Sequence, residues 1–152
     1  MPKKKESISV EEHTQNIYKA KACKITSTRY RDIERSARKI YGNIARRSKR
    51  NPYIRSRYFK GEKIFLKLFW EHLHQKNQNE RRRRLRFYAC AIELLKVSTC
   101  EPEIVHSLGE TLYRFAGMAP TDEVFYVQVK KDRKSNRYFM SVFPAKATKE
   151  VP

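Results

Sequence analysis

The final third of the chain contains two runs in which apolar and polar residues alternate, and this pattern constrains the fold more than any other feature. The first run places Phe125, Val127 and Val129 at every second position, and residues 137–143 alternate in the same way after the polar link 132–135. A period of two matches the spacing of side chains on one face of a β-strand. The pattern therefore predicts an antiparallel hairpin with one buried and one exposed face.

The alternation also predicts which side chains share each face of this hairpin. Pairing the two strands across the link places Tyr138, Met140 and Val142 on the buried face. A third strand, over residues 111–116, is expected to add two aromatic residues to that face. The opposite face is predicted to be a cationic and aromatic platform that carries Arg114, Tyr126, Gln128, Lys130, Arg137, Phe139 and Ser141.

The first fifty residues have apolar residues at three- and four-residue steps, which is typical of helices. Residues 9–50 are predicted to be helical throughout, with Ser9 and Glu12 forming a capping box at the start. A second helix in this range is expected to end near Asn51, because the proline that follows disfavours helical geometry in the residue before it. Both helices are predicted to be strongly basic.

The middle of the chain predicts a hairpin followed by two helices. Residues 53–59 and 63–66 are β-prone and are joined by a short turn that contains a glycine. Apolar spacing then predicts a short helix around Phe69 and a longer one that begins at Glu80. We therefore expect an α+β fold, with N-terminal basic helices, then a β-hairpin and two helices packed on a C-terminal antiparallel sheet. The predicted units are a basic helical extension over residues 1–50, an α+β domain over residues 51–146 and a tail over residues 147–152.

The positive charge of the chain is concentrated before residue 100. The chain carries 35 Lys and Arg against 16 Asp and Glu, a net charge of +19, and residues 1–100 account for +18 of it. An excess this concentrated predicts a polyanionic partner, and nucleic acid is the commonest one. The residues expected to contact phosphates are Arg35, Arg38, Arg46, Arg47, Arg82, Arg83, Arg86 and Arg137, and those expected to stack on unpaired bases are Tyr126 and Phe139.

The sequence also excludes several classes of protein. Its apolar runs are shorter than the roughly 18–20 residues that a membrane span needs, and no apolar segment follows the basic N-terminus as in a secretory signal. Its 3 cysteines have neither metal-ligand spacing nor an even count, so a reducing compartment is expected. These features predict a cytoplasmic protein that does not enter a membrane.

Recognisable metal and cofactor motifs are missing from the sequence. There is no phosphate-binding glycine loop, dinucleotide fingerprint or zinc-binding cysteine cluster. His72 and His74 are two positions apart, which puts them on different faces of a helix. Carboxylates are scarce in the basic part, and a two-metal nuclease needs several of them. We therefore predict that the protein uses no metal and no cofactor.

Metal-free cleavage of RNA suits the residues that remain. The 2′-hydroxyl is an internal nucleophile, so a protein needs only to position the strand, move a proton and stabilise the charge of the phosphorane. His72 is the candidate for proton transfer, because the ordinary pKa of histidine is near neutrality. For each candidate, a packing role or a solvated position is the alternative. The other candidates are Arg114 and Lys130 for the phosphorane charge, and Ser141 and Gln128 for hydrogen bonds to the substrate.

Several segments resemble one group of phage-associated domains. The segments are YFKGEKIFL at 58–66, FWEHL at 69–73, QK at 75–76, RRRRL at 81–85, YACAI at 88–92, YRFAG at 113–117, FYVQV at 125–129 and FMSVFP at 139–144. Together they resemble the nuclease-like domains grouped with barnase, the EndoU nucleases, the tRNA-cleaving colicins and the RelE-type toxins. The resemblance spans roughly residues 53–145. It implies helices that precede a four-stranded antiparallel sheet and a metal-independent ribonuclease, with His72, Arg114 and Ser141 in the matching motifs.

Three functions are consistent with these observations. The first is a toxin-like endoribonuclease that acts on RNA, including tRNA or ribosome-bound RNA, and that has an immunity or antitoxin protein as a partner. The second is a non-catalytic nucleic-acid-binding module of mobile-element origin that uses the same platform. The third is an adaptor for an acidic protein partner, with the sheet edge or the basic helix as its surface.

Overall fold

The computed structural model describes residues 16–48 and 50–146. Within these ranges, one mixed sheet packs beside four helices, which confirms the predicted α+β class. The helices are α1 (Tyr30–Ala45), α2 (Lys67–His74), α3 (Gln78–Leu85) and α4 (Tyr88–Val97). The strands are β1 (Ile17–Lys19), β2 (Tyr53–Ser56), β3 (Glu62–Phe65), β4 (Glu103–Ser107), β5 (Glu110–Met118), β6 (Val124–Lys131) and β7 (Arg137–Pro144).

The sheet is built around three long antiparallel strands, β5, β6 and β7. The hairpin of β2 and β3 extends it at one side, because β3 runs parallel to β7. At the other side, β4 pairs with the first half of β5, and β1 runs parallel to its second half. The sheet is therefore mixed rather than wholly antiparallel, and both of its parallel pairings come from strands in the first half of the chain.

The prediction that residues 9–50 are helical throughout is wrong for part of this range. Ile17–Lys19 is strand β1, and the helix that follows begins only at Tyr30. The extended conformation is favoured there because β1 pairs with β5. This pairing satisfies backbone hydrogen-bonding groups that would stay unpaired at the ends of a short isolated helix. The predicted capping box of Ser9 and Glu12 lies outside the described residues.

The single helix predicted from Glu80 is divided into α3 and α4. Leu85, Phe87 and Tyr88 are all buried, and three buried side chains within four positions do not share one helical stripe. The backbone leaves helical geometry at Phe87, where φ is −97° and ψ is 9°. Its ring stacks on Phe125 with a centroid distance of 5.3 Å. The break lets α4 begin in a new orientation against the sheet.

The core lies between the helices and one face of the sheet, which we call the inner face. Gly117 of β5 shows how closely the layers approach, because a Cβ atom there would lie 2.4 Å from Phe125 and 2.9 Å from Leu94 of α4. Buried residues of α1 join the same cluster as those of α2 and α4. On β5, β6 and β7, the buried apolar side chains of the inner face are Tyr113, Phe115, Phe125, Val127, Val129, Phe139 and Val142.

A β-bulge at Met140 alters the predicted register of β7. Val129 lies opposite Phe139, whereas Gln128 lies opposite Ser141, so Met140 is an extra residue between the two pairs. The bulge reverses the alternation along the first half of β7. Phe139 therefore belongs to the inner face, and Tyr138 belongs to the opposite one.

The bulge places two predicted binding residues on the inner side of the sheet rather than on the exposed platform. Phe139 is fully buried and stacks on Phe69 at a centroid distance of 4.7 Å, so it cannot stack on a nucleobase. Arg137 lies on the core side of the strand, with its guanidinium 4.4 Å from the centroid of the Phe59 ring. The sequence places both on the exposed face because strict alternation takes no account of an inserted residue.

Glu93 of α4 holds the segment that follows β1. Its carboxylate accepts hydrogen bonds from the Tyr18 hydroxyl and from the backbone N–H groups of Lys21 (2.9 Å) and Ala22 (2.7 Å). Burial alone would raise the pKa of Glu93, but these hydrogen bonds outweigh it and lower the pKa below its ordinary value. One charged side chain therefore joins the first strand to the helical layer.

Replacing Glu93 with glutamine is expected to lower the free energy of unfolding at pH 7 by about 1–2 kcal/mol, since the bonds go to a charged group at a half-exposed site. Because the pKa of Glu93 is lowered in the folded state, its ionised carboxylate stabilises the fold fully at pH values above the unfolded-state pKa of about 4.3. This stabilisation is lost as the pH falls through the folded-state pKa. Urea unfolding at pH 7 and pH 3 measures the difference. Glu71→Gln, at an exposed glutamate of α2, is the control. A difference that is as large at pH 3 as at pH 7 would contradict this role.

Candidate functional site

The side of the sheet opposite the core, which we call the outer face, carries polar and aromatic side chains in register. Arg114, Gln128 and Ser141 lie opposite one another across β5, β6 and β7. Neighbouring strands are about 4.8 Å apart, so this row spans about 10 Å. The Ser141 hydroxyl donates a hydrogen bond to Oε1 of Gln128 at 2.9 Å. The other outer-face residues, all partly exposed, are Leu112, Ala116, Tyr126, Lys130, Tyr138 and Phe143.

Helix α2 brings His72 to the same row. Strand β3 pairs with only the first two residues of β7, and the chain then turns at Leu66 into α2, which packs against β7. Three of the five predicted catalytic residues, His72, Gln128 and Ser141, thus line one cleft of about 330 Å³, which we call the His72 cleft. Its remaining lining residues are Phe69, Leu73, Gln75, Lys76, Arg84 and Met140.

Arg84 also lines the His72 cleft and is not among the residues predicted from the sequence. Its side chain is only 17% exposed, and its Nε atom lies 3.4 Å from the carboxylate of Glu80. Its guanidinium is 5.5 Å from the centroid of the Phe143 ring, and that of Arg114 is 5.9 Å from the same centroid. The arginine run at 81–84 signalled a cationic helix, but the rotation of α3 decides which arginine reaches the sheet.

The other two predicted catalytic residues lie outside the His72 cleft. Arg114 is 3.8 Å from the carboxylate of Glu103, and Lys130 is 3.5 Å from that of Glu110. Arg114 also lies over the Tyr126 ring at 5.8 Å. Arg114 and Tyr126 line a second cleft of about 530 Å³, which we call the Arg114 cleft. Its other lining residues are Asn16, Ile17, Glu101, Pro102, Glu103, Ala116, Val124 and Ala145.

Two partly exposed tyrosines are hydrogen-bonded to carboxylates. The Tyr58 hydroxyl donates to Glu101 of the Arg114 cleft at 3.1 Å, and burial together with this bond raises the pKa of Tyr58 to about 12. The Tyr138 hydroxyl donates to Asp132 at 3.0 Å, and burial and this bond raise its pKa as well. Both phenols therefore stay protonated at neutral pH and hold their carboxylates in place.

The predicted phosphate-binding arginines of α1 are partly paired within the fold. Arg35 lies 3.9 Å from Asp32, and Arg38 lies 3.8 Å from Glu34. The guanidinium of Arg38 also lies 4.1 Å from the centroid of the Trp70 ring, so this side chain contributes to packing. Arg46 and Arg47, just past the end of α1, are exposed.

The arginines around α3 have three different environments. Arg83 is exposed and pairs with Glu80 at 3.0 Å. Arg82 donates a hydrogen bond to Asn79 at 3.4 Å. Arg86 donates to the carbonyl oxygen of Ile25 at 3.4 Å, so it braces the segment between β1 and α1. Of the three, Arg83 is the one most open to solvent.

Comparisons with known proteins identify no relative. No protein-family model matches the chain, and no curated protein or solved structure matches it either. None of the described helices combines the length and the apolar composition that a membrane crossing requires. Across residues 16–48 and 50–146, no three His, Cys, Asp or Glu side chains are grouped as metal ligands would be. The arrangement of the two clefts is therefore the basis for a functional proposal.

Proposed function

We propose that this protein is a metal-independent endoribonuclease of the toxin type, as the resemblance of residues 53–145 implies. The observation that carries the proposal is the His72 cleft, where a histidine and an arginine lie beside two hydrogen-bonding side chains, Gln128 and Ser141. The cleft opens beside the aromatic rings of the outer face, which suit unpaired bases. This combination fits cleavage of single-stranded RNA.

In the proposed reaction, His72 accepts the proton of the 2′-hydroxyl while the 2′-oxygen bonds to phosphorus. The bond from phosphorus to the 5′-oxygen then breaks, and the 5′-oxygen takes a proton from water. Arg84 donates hydrogen bonds to the non-bridging oxygens, where negative charge increases in the transition state. Ser141 and Gln128 position the phosphodiester. The products are a 2′,3′-cyclic phosphate and a free 5′-hydroxyl.

The basic residues outside the cleft supply affinity in this proposal. Arg46, Arg47 and Arg83 are exposed, and each cation that contacts a phosphate releases counterions. Binding is therefore expected to weaken steeply with salt and to depend little on sequence. A cytoplasmic location and an acidic immunity or antitoxin partner belong to the same proposal.

A non-catalytic nucleic-acid-binding module is the second candidate. Arg114 and Lys130 are each paired with a carboxylate, Glu103 and Glu110 respectively, so neither is an unpaired cation facing the reacting phosphate. In this alternative, the outer face binds a strand through stacking and phosphate contacts, and His72 has a packing role.

RNA digestion in the presence of EDTA separates these candidates. The purified protein is expected to cut single-stranded RNA or tRNA without added metal and to leave 2′,3′-cyclic phosphate ends. DNA of the same sequence, which lacks the 2′-hydroxyl, should stay intact and serves as the matched control. The products are identified by mass spectrometry of the fragment ends.

Two results would contradict the nuclease proposal in different ways. Intact RNA together with salt-sensitive binding would leave the nucleic-acid-binding module. The absence of any affinity for RNA at low salt would instead favour the adaptor for an acidic protein.

A further inference from the structure

The Arg114 cleft forms where two edge strands, β4 and β1, pair with successive parts of the same strand, β5. β4 pairs with residues 110–114 of β5, and β1 pairs with residues 116–118, so the neighbour of β5 changes at Phe115. The first residues of both edge strands border the resulting notch, which opens on the outer face. A notch of about 530 Å³ is within the range of small-molecule binding sites.

The walls of this cleft suit a flat ring with apolar faces. Five of its lining residues, Ile17, Pro102, Ala116, Val124 and Ala145, present aliphatic surface. Tyr126 adds an aromatic ring, which lies 5.7 Å from Phe143 and beneath the guanidinium of Arg114. Stacking on such a ring accepts any nucleobase, because every base has a π face.

The polar groups of the cleft distinguish a base from a phosphate. Glu101 and Glu103 border it and would repel a phosphate, but their oxygens can accept hydrogen bonds from the N–H groups on the edge of a base. The surrounding sequence supports this distinction, since residues 97–113 contain no Lys or Arg in a chain with 35 of them. Arg114, at the boundary with the rest of the outer face, is the one cation lining this cleft in the described part of the chain.

We propose that the Arg114 cleft is a subsite for one unpaired nucleobase of the RNA strand whose phosphodiester occupies the His72 cleft. The row from Arg114 through Gln128 to Ser141 joins the two clefts over about 10 Å, so one extended strand can reach both. Arg114 then contacts the phosphate next to the bound base. The subsite rests on the proposed function in one respect, namely that the ligand is an RNA strand.

The subsite defines the substrate class as single-stranded RNA or the loop of a folded RNA. A base that enters a notch beside Tyr126 must be unstacked from its neighbours, and in a duplex this costs both pairing and stacking. The protein is therefore expected to bind loops and single strands more tightly than duplexes of the same length.

A fluorescent probe that cannot be cleaved tests the subsite. The probe is a short 2′-O-methyl RNA with one 2-aminopurine, whose fluorescence is quenched when the base stacks on an aromatic ring. The wild-type protein is expected to quench it, and Tyr126→Leu is expected to abolish the quenching and to weaken binding about 5- to 100-fold, the effect of one lost base stack.

The controls separate this proposal from the nuclease proposal. Because the probe lacks a free 2′-hydroxyl, quenching can be measured whether or not the protein cleaves RNA. An otherwise identical probe with an abasic site should bind the wild type and Tyr126→Leu equally well, and thermal melts confirm that the variant folds. Equal quenching by the wild type and Tyr126→Leu would overturn the subsite, as would equal quenching of the probe in a duplex. Quenching without RNA cleavage would retain the subsite and remove the nuclease.

Discussion

Replacing His72 with alanine is expected to lower the single-turnover rate of RNA cleavage by about 10²- to 10⁴-fold, the usual contribution of a general base. The affinity for RNA should change little, because in the proposed function His72 lies where the reacting phosphodiester would bind, and exposed arginines elsewhere would provide most phosphate contacts. Single-turnover assays at saturating RNA measure the rate, and filter binding at several salt concentrations measures the affinity.

The same helix provides a matched control for this variant. His74 is exposed, lies only two positions further along α2 and does not line the His72 cleft. His74→Ala should therefore cleave RNA at the wild-type rate. If both variants keep full activity, His72 is not the base. If His72→Ala loses affinity and rate in equal measure, the side chain binds RNA rather than transferring a proton.

Replacing Phe139 with alanine is expected to lower the free energy of unfolding by about 3–5 kcal/mol, the usual cost of removing a large aromatic side chain from a core. Phe139 is fully buried and packs against Phe69 and Tyr88. The neighbouring Tyr138→Ala should cost about 1 kcal/mol, since that ring lies on the outer face and loses one hydrogen bond to Asp132. Urea unfolding monitored by circular dichroism measures both values.

The contrast between these two variants tests the bulge at Met140. A strand with strict alternation would bury Tyr138 and expose Phe139, so the two costs would be reversed. A larger loss for Tyr138→Ala than for Phe139→Ala would therefore contradict the register of β7.

The sequence predicts the long elements of the sheet more accurately than the details that orient its side chains. In β6, every second residue from Phe125 to Val129 is buried, as the alternation indicates. In β7, a single inserted residue changes the face of Phe139 and Tyr138, and no sequence pattern marks its position. A bulge depends on how two strands pair, and the alternation within one strand does not contain that information.

The edge strands were missing from the prediction for a different reason. All five residues of β4, Glu103–Ser107, are exposed, so the strand has no buried face and no alternation to reveal it. Strand β1 has only three residues and is held by pairing with β5. Both strands depend on contacts far along the chain, which local propensity cannot represent.

The candidate site could be predicted in part. The alternation in β6 placed Gln128 on the exposed face, and helical spacing placed His72 near the end of α2. Their meeting in one cleft depends on α2 lying along the edge of β7, a tertiary arrangement. The position of Arg84 in the cleft depends on the break between α3 and α4. This break is associated with the packing of Phe87 on Phe125, which the spacing of apolar residues does not reveal.

The parallel pairing of β1 with β5 has a consequence for the order of folding. It joins Ile17 to Ala116, two residues separated by most of the chain, so the entropy of closing that loop must be offset by contacts formed beforehand. We expect the β5–β6–β7 meander, whose strands are neighbours in sequence, to form first and β1 to add last. Until β1 arrives, the second half of β5 is an open strand edge that can pair with another chain. The hydrogen bonds from Tyr18, Lys21 and Ala22 to Glu93 then retain β1 and protect the folded protein from aggregation at this edge.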